Sequence, residues 1–286
     1  MKSWVRRTIF ILIGLFALVG LAFTAVFIAM QFGLLNVRGS ILERNQFFAN
    51  AASAPVSPAA LAQPCVDATK NECDWSETPE WVVVAGGLEK DALIIERVAK
   101  ETDVDARLIA AAVIPEQLRF FTSEREVFKR YFEPLKILGS LSQFSLGVSG
   151  IKQETAREIE HHALDAASPF YPGAKYASLI EYPKGTNTDA ELYKRLTDAK
   201  DHYYSYLYTA LYIKEIESQW ERAGFRNELT PAIAITLFNI GFERSNPNPA
   251  PVAAGASIQV GGRAYPFGVL GGEFYRSEEL THIFPR

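Results

Sequence analysis

The longest apolar stretch of the chain lies near its start, where no residue from Thr8 to Leu35 is charged. Its 28 residues exceed the roughly 20 that an α-helix needs to cross a hydrocarbon core, which predicts one tilted N-terminal transmembrane helix. Lys2, Arg6 and Arg7 precede it, so residues 1–7 are expected in the cytoplasm and the chain beyond about residue 36 outside. A cleavable signal peptide has a shorter apolar core with a small-residue site close behind it. Ala60-Leu61-Ala62 lies too far downstream to serve as that site.

Beyond the anchor, the periodicity is helical. Lys90 to Glu101 carries Leu93, Ile94, Arg97 and Val98 at helical spacing, and a second helix follows from about Asp105, capped by Asp103 or Asp105. A turn over Gly147–Gly150 should lead into a helix running from near Lys152 through His161-His162. Pro169, Pro172, Gly173, Pro183 and Gly185 predict a loop with at most a short helix between 168 and 188. The clearest pattern runs from Asp189 to Ala223, read as one helix with Gly224 as its C-cap, and Thr230-Pro231 opens another. Tyr204, Tyr208 and Tyr212 form a second stripe on the long helix, suited either to packing or to stacking on sugars. Residues 257–267 read as a β-hairpin turning at Gly261-Gly262. Gly268, Gly271 and Gly272 then allow a tail to lie against a cleft or merely to cover the core.

These elements divide the chain into a cytoplasmic tail (1–7), an anchor (8–35), an exported spacer (36–88) and a mainly α domain (89–286) with a small C-terminal hairpin. Residues 49–64 are rich in Ala, Ser and Pro without periodicity, as a spacer would be. Cys65 and Cys73 follow, with no His nearby to complete a zinc site. In an exported segment they are expected to close a small disulfide loop; two unpaired thiols would suit the cytoplasm better. The net charge of −4 and the lack of basic runs beyond the first seven residues argue against nucleic acid as partner. No nucleotide-binding or metal-ligand spacing is evident, so no cofactor or metal is expected. Adjacent helical residues point about 100° apart, so His161 and His162 do not chelate one ion by themselves.

Candidate chemistry centres on Glu116, which ends the apolar run Val104-Asp105-Ala106-Arg107-Leu108-Ile109-Ala110-Ala111-Ala112-Val113-Ile114-Pro115. A helix buried on most sides has no packing use for a carboxylate, so Glu116 belongs either in a cleft, where desolvation favours its acid form, or in an ion pair with Arg119. A carboxylic acid held in a cleft is the group that glycosidic-bond cleavage requires.

Two later segments follow in order. Ser145-Leu146-Gly147-Val148-Ser149-Gly150-Ile151-Lys152-Gln153-Glu154-Thr155-Ala156 resembles the second motif of lytic transglycosylases, S-x-G-x-G-Q-I-x-P-x-T-A. Ala234-Ile235-Thr236-Leu237-Phe238-Asn239-Ile240-Gly241 resembles their third, A-Y-N-x-G. Residues 89–286 are thereby similar to the lysozyme-like superfamily. Departures accompany the resemblance. Gln117 stands where the family has Ser, Gly150 where it has Gln, Gln153 where Pro is common, and Phe238 where it has Tyr. A shifted register would place Gln153 at the family Gln but misalign Thr155-Ala156. The long gap between Glu116 and Ser145 implies an inserted element carrying Phe128, Tyr131, Phe132 and Leu135.

The resemblance implies a membrane-anchored enzyme of the periplasm that cleaves the β-1,4 bond between N-acetylmuramic acid and N-acetylglucosamine in peptidoglycan. Glu116 would be the single acid/base; Ser149, Gly150 and Ile151 would line the cleft through backbone groups; Phe238 and Asn239 would complete the substrate-binding wall. Partners would be glycan strands, the inner membrane and an envelope complex. Two alternatives stand beside it. A hydrolytic lysozyme needs a second carboxylate, for which Glu124, Glu126 and Glu133 are candidates. A non-catalytic envelope protein would use the same scaffold to bind glycan.

Overall fold

The computed structural model describes residues 74–119, 145–146, 148–198 and 200–286, together with Gly14, Gly20, Leu21 and Thr24, which are helical. The remainder of the expected 8–35 span, the Cys65/Cys73 loop, the insertion after Glu116 and the three carboxylates Glu124, Glu126 and Glu133 lie outside the described residues. Among the described residues no helix is long and apolar enough to cross a membrane.

The described part is mainly helical with two small hairpins. Helix α1 spans Pro79–Thr102, with Thr78 Oγ1 accepting from the Trp81 N–H and Pro79 at a position where no helical N–H is required. It starts well before Lys90, where its periodicity first became readable, and crosses the boundary read at 88/89. Trp75, Trp81, Val84 and Leu88 are buried in the common core. Trp75 meets Trp81 edge-on at 4.9 Å between ring centres, and Trp81 packs on Phe274 at 5.8 Å. Large aromatic areas removed from water in this way hold residues 75–88 to the domain.

Helix α2, Ala106–Leu118, is capped by Asp105 and buried from Arg107 to Leu118. Hairpin strands β1, Ser145–Leu146, and β2, Ile151–Lys152, pair antiparallel, with Leu146 opposite Ile151. Helix α3, Gln153–Leu164, follows at once, and the 168–188 segment contains one 3₁₀ turn, Ala174–Leu179. The single helix read over 189–223 is two: α4, Thr188–Thr197, and α5, Tyr203–Arg222. Asp198 accepts from the N–H groups of Lys200 and Asp201, and Asp201 from that of Tyr203. Aspartates that satisfy backbone donors locally compete with the helical ladder, so the chain turns between them. Gly224, at φ +81°, follows the C-cap Ala223, and the Phe225 N–H returns to the Trp220 carbonyl, closing that helix.

Helix α5 is central and packs on α1, α2, α3, α4 and the next helix, α6, Pro231–Ile240. It carries one unusual buried group, Glu215, fully inaccessible and with no partner among the described residues for either oxygen. Burial alone pushes its carboxyl well above the ordinary range. Strands β3, Ser257–Val260, and β4, Arg263–Pro266, form the C-terminal hairpin, turning at Gly261 and Gly262, both at positive φ.

The tail is a helix, α7, Phe267–Arg276, which packs mainly on α6 and α2. A methyl on Gly268 would meet Thr236 Oγ1, one on Gly272 would meet Ala232 Cβ at 2.6 Å, and one on Gly271 would meet the Ala111 carbonyl at 2.7 Å. The Ala111 carbonyl is the one left without a helical donor by Pro115. Arg107 locks the region that follows: its five N–H groups reach the carbonyls of Phe274, Tyr275, Ser277, Glu279 and Phe284.

Candidate functional site

A cavity of about 760 Å³ brings together Glu116, the segment Ser149–Lys152, and Phe238 and Asn239. All the residues expected to form the glycan site thus line one space, with Glu116 delivered by the end of α2, the second segment by the β1–β2 hairpin and the third by the end of α6. Cys65 and Cys73 lie outside the described residues.

The closest approach is between Gly150 and Glu116. Gly150 sits at φ +66°, and a Cβ there would lie 2.6 Å from Glu116 Cγ and 2.7 Å from both Cδ and Oε1. Only glycine adopts this backbone at little cost and leaves room for the carboxylate. Gln117, the departure from the family Ser, is fully buried and donates from Nε2 to the Val148 carbonyl. The two consecutive residues therefore grip the hairpin turn from below, one through contact and one through a hydrogen bond. Ser149 is also buried, and its hydroxyl donates to the Ser205 carbonyl at 2.9 Å, so it fastens the hairpin to α5. Gln153 donates to the Asp189 carbonyl at 3.2 Å and does not line the cavity, which leaves Gly150, not Gln153, at the position beside Glu116.

Both readings of Glu116 meet here: it lines the cavity, and Arg119 Nη1 lies 3.4 Å from its Oε2 with both side chains buried. The guanidinium favours the carboxylate and burial favours the acid, so the two effects oppose each other at this atom. The spacing of three residues on one helical turn, Glu116 to Arg119, was the signal for this pair.

At the end of α6, Asn239 Oδ1 accepts from the Ala256 N–H at 2.9 Å, while its Nδ2 is buried with no partner among the described residues. Gly255, at φ +107°, permits that contact: a Cβ there would lie 2.9 Å from Asn239 Oδ1 and from Phe267 Cβ. Phe238 packs on Tyr212 at 5.3 Å and on Phe267 at 6.5 Å between ring centres, giving the cavity one apolar side. Of the tyrosine stripe, only Tyr212 lines the cavity. Tyr208 is buried and donates to Glu160 at 2.6 Å, and Tyr204 lies against the Arg195 guanidinium. His162 packs against the rings of Phe170 and Phe242, each at 4.7 Å.

Sequence reasoning missed Lys152, Thr155, Arg244 and the 254–256 strap as lining residues. Arg244 falls just after the third motif, but its approach depends on the turn at Gly241, φ +106°, and on the 3₁₀ turn Phe242–Arg244. Neither carries a periodic signal. Compared with known proteins, the chain matches no protein-family model, no curated protein and no solved structure.

Proposed function

We propose that this chain is a membrane-anchored peptidoglycan lytic transglycosylase on a lysozyme-like scaffold, with Glu116 as its single acid/base. The observation that carries the reading is the convergence of Glu116, Gly150 and Asn239 on one cavity from three segments far apart in sequence. Glu116 in its acid form gives its proton to the glycosidic oxygen as the bond to the muramoyl C1 breaks, and the N-acetylglucosamine side leaves as an alcohol. The resulting carboxylate takes the proton of the muramoyl C6 hydroxyl, whose oxygen closes on C1 to give a 1,6-anhydro sugar. Water is not consumed, and Glu116 ends protonated. No second carboxylate is needed, because the substrate supplies the nucleophile and its acetamido group assists, an exception to the two-carboxylate scheme. The buried amide nitrogen of Asn239, which lines the same cavity, supplies an N–H donor.

A second reading is favoured by the Arg119 pair. If that ion pair holds Glu116 ionised throughout, the cavity binds glycan without cleaving it, and the protein serves as an envelope binding or scaffold protein. Replacing Glu116 with Gln separates the two, since the amide keeps the shape and an oxygen for Arg119 while removing the transferable proton. Digests of purified peptidoglycan by the wild-type chain should contain anhydro-muropeptides, and those by Glu116→Gln should lack them with the fold intact. Equal product from both would remove Glu116 from the mechanism. A folded wild type that binds sacculi and yields no product between pH 5 and 8 would establish the binding reading.

A further inference from the structure

We infer that Gln117 is a positioning residue for Glu116: by holding the Val148 carbonyl it keeps the hairpin turn pressed on the carboxyl and fixes the direction in which that carboxyl faces. The inference deepens the reading above and rests on it only for the kinetic arm of its test.

The β1–β2 hairpin has little of its own to hold it in place. Its ladder pairs only Ser145 with Lys152 and Leu146 with Ile151, and a hairpin of two strands is marginal in water. Side-chain ties therefore place the turn between the strands. Ser149 ties it to α5 through the Ser205 carbonyl, and Gln117 ties it to α2 through the Val148 carbonyl. Gly150, in the same turn, lies against Glu116 Cγ, Cδ and Oε1. The other carboxyl oxygen, Oε2, faces Arg119 Nη1 at 3.4 Å. The carboxyl is thus held on both edges, and the Gly150 edge stays in place only while the turn does.

A second observation separates positioning from plain stability. Gln117 is fully buried, and its Oε1 has no hydrogen-bond partner among the described residues. A buried, unpaired amide oxygen is a net loss to the folded state, so an apolar side chain of the same length would serve packing better. Methionine is such a side chain, unbranched and adaptable. Gln117→Met removes the unpaired oxygen and, with the donor gone, leaves the buried Val148 carbonyl without this partner. The two changes offset each other in stability, while the freed carbonyl gains by lifting the turn towards water and away from Glu116.

The test uses the full detergent-solubilised chain and reads Glu116 directly. Carboxyls are coupled to glycine ethyl ester with a water-soluble carbodiimide, and the rate at Glu116 is followed by peptide mass spectrometry without denaturant, beside urea unfolding of the same samples. Glu116, 2% exposed, should react slowly in wild type. Losing one hydrogen bond shifts opening of the turn about tenfold, so Gln117→Met should label Glu116 about tenfold faster at an unchanged urea midpoint. Gln117→Asn, an amide too short to reach Val148, should speed labelling in the same way. Where peptide-free glycan strands are cleaved to anhydro products, Gln117→Met should also lower kcat about ten- to a hundredfold with KM nearly unchanged, the loss expected of a misaligned acid and not of weaker binding. The inference is overturned if the folded variants label Glu116 at the wild-type rate, if kcat is unchanged, or if neither variant folds, which would make Gln117 a residue of stability alone. Faster labelling of the variants, in a chain that yields no anhydro product, would leave the inference standing and remove the transglycosylase reading.

Discussion

Gly150→Ala gives the sharpest test of the site's construction, because its cost divides into two parts that can be measured separately. The residue sits at φ +66°, and a left-handed conformation costs a non-glycine residue about 1–2 kcal/mol. The added methyl would also lie 2.6–2.7 Å from three atoms of Glu116, well inside van der Waals contact, and overfilling a packed site adds about 1–3 kcal/mol. Gly224→Ala provides the control: its φ of +81° has nothing within 4 Å of the added carbon, so only the backbone part applies. The three atoms struck by the methyl are all beyond Cβ of Glu116, so Glu116→Ala removes the collision. Urea unfolding of wild type, both single variants and the Gly150→Ala/Glu116→Ala double variant forms a cycle in which loss of the Arg119 pair cancels. The expected coupling is about 1–3 kcal/mol, with the double variant more stable than the sum of the singles implies. Additive costs, or a Gly150→Ala penalty no larger than that of Gly224→Ala, would refute the claim that Gly150 is shaped by Glu116.

Arg107→Met should cost about 3–5 kcal/mol, since it leaves five carbonyls without their charged donor, and Arg107→Lys, with three donors for the same five acceptors, should also lower the melting temperature. Glu215 binds its proton more tightly folded than unfolded, so its stabilising contribution is full below the ordinary value of 4.5 and declines as pH rises toward the raised folded value; Glu215→Gln should therefore gain on wild type by up to about 1.4 kcal/mol per pH unit above that point. Denaturation series from pH 4 to 8 would read this, and a constant difference between the two proteins would refute it. For topology, a reporter active only after export, fused after Ala60, should be active with the anchor intact, whereas a reporter active only in the cytoplasm should be silent there.

Helix α2 was legible because its apolar run is continuous and Asp105 caps it, and the hairpin because Gly261-Gly262 supplies two positive-φ residues in succession. The start of α1 was not, since Val82-Val83-Val84 and Gly86-Gly87 have neither helical period nor helical propensity; tertiary burial of Trp75, Trp81, Val84 and Leu88 decides it. The same override produced α7, whose three glycines argue against a helix until α6 and α2 are seen pressed against them. At the site, the short motifs indicated Glu116, Gly150 and Asn239. They could not indicate that Gln117 would tie the hairpin turn, nor that Arg244 and the 254–256 strap would reach the cavity, because those depend on long-range closure.

The Arg107 clamp also bears on the order in which this domain is assembled. Its carbonyl partners lie 167 to 177 residues further along the chain, so the start of α2 has no complete set of partners until residues near 284 have been made and brought back. Glu116 stands at the other end of that same helix. A chain stalled or shortened before residue 274 would leave a bare guanidinium at the centre of the fold, and the carboxylate at the far end of α2 would have no fixed wall to face. Competence at the cavity is thereby coupled to the synthesis of residues 274–284, and a nascent chain that has not reached them would carry no finished site.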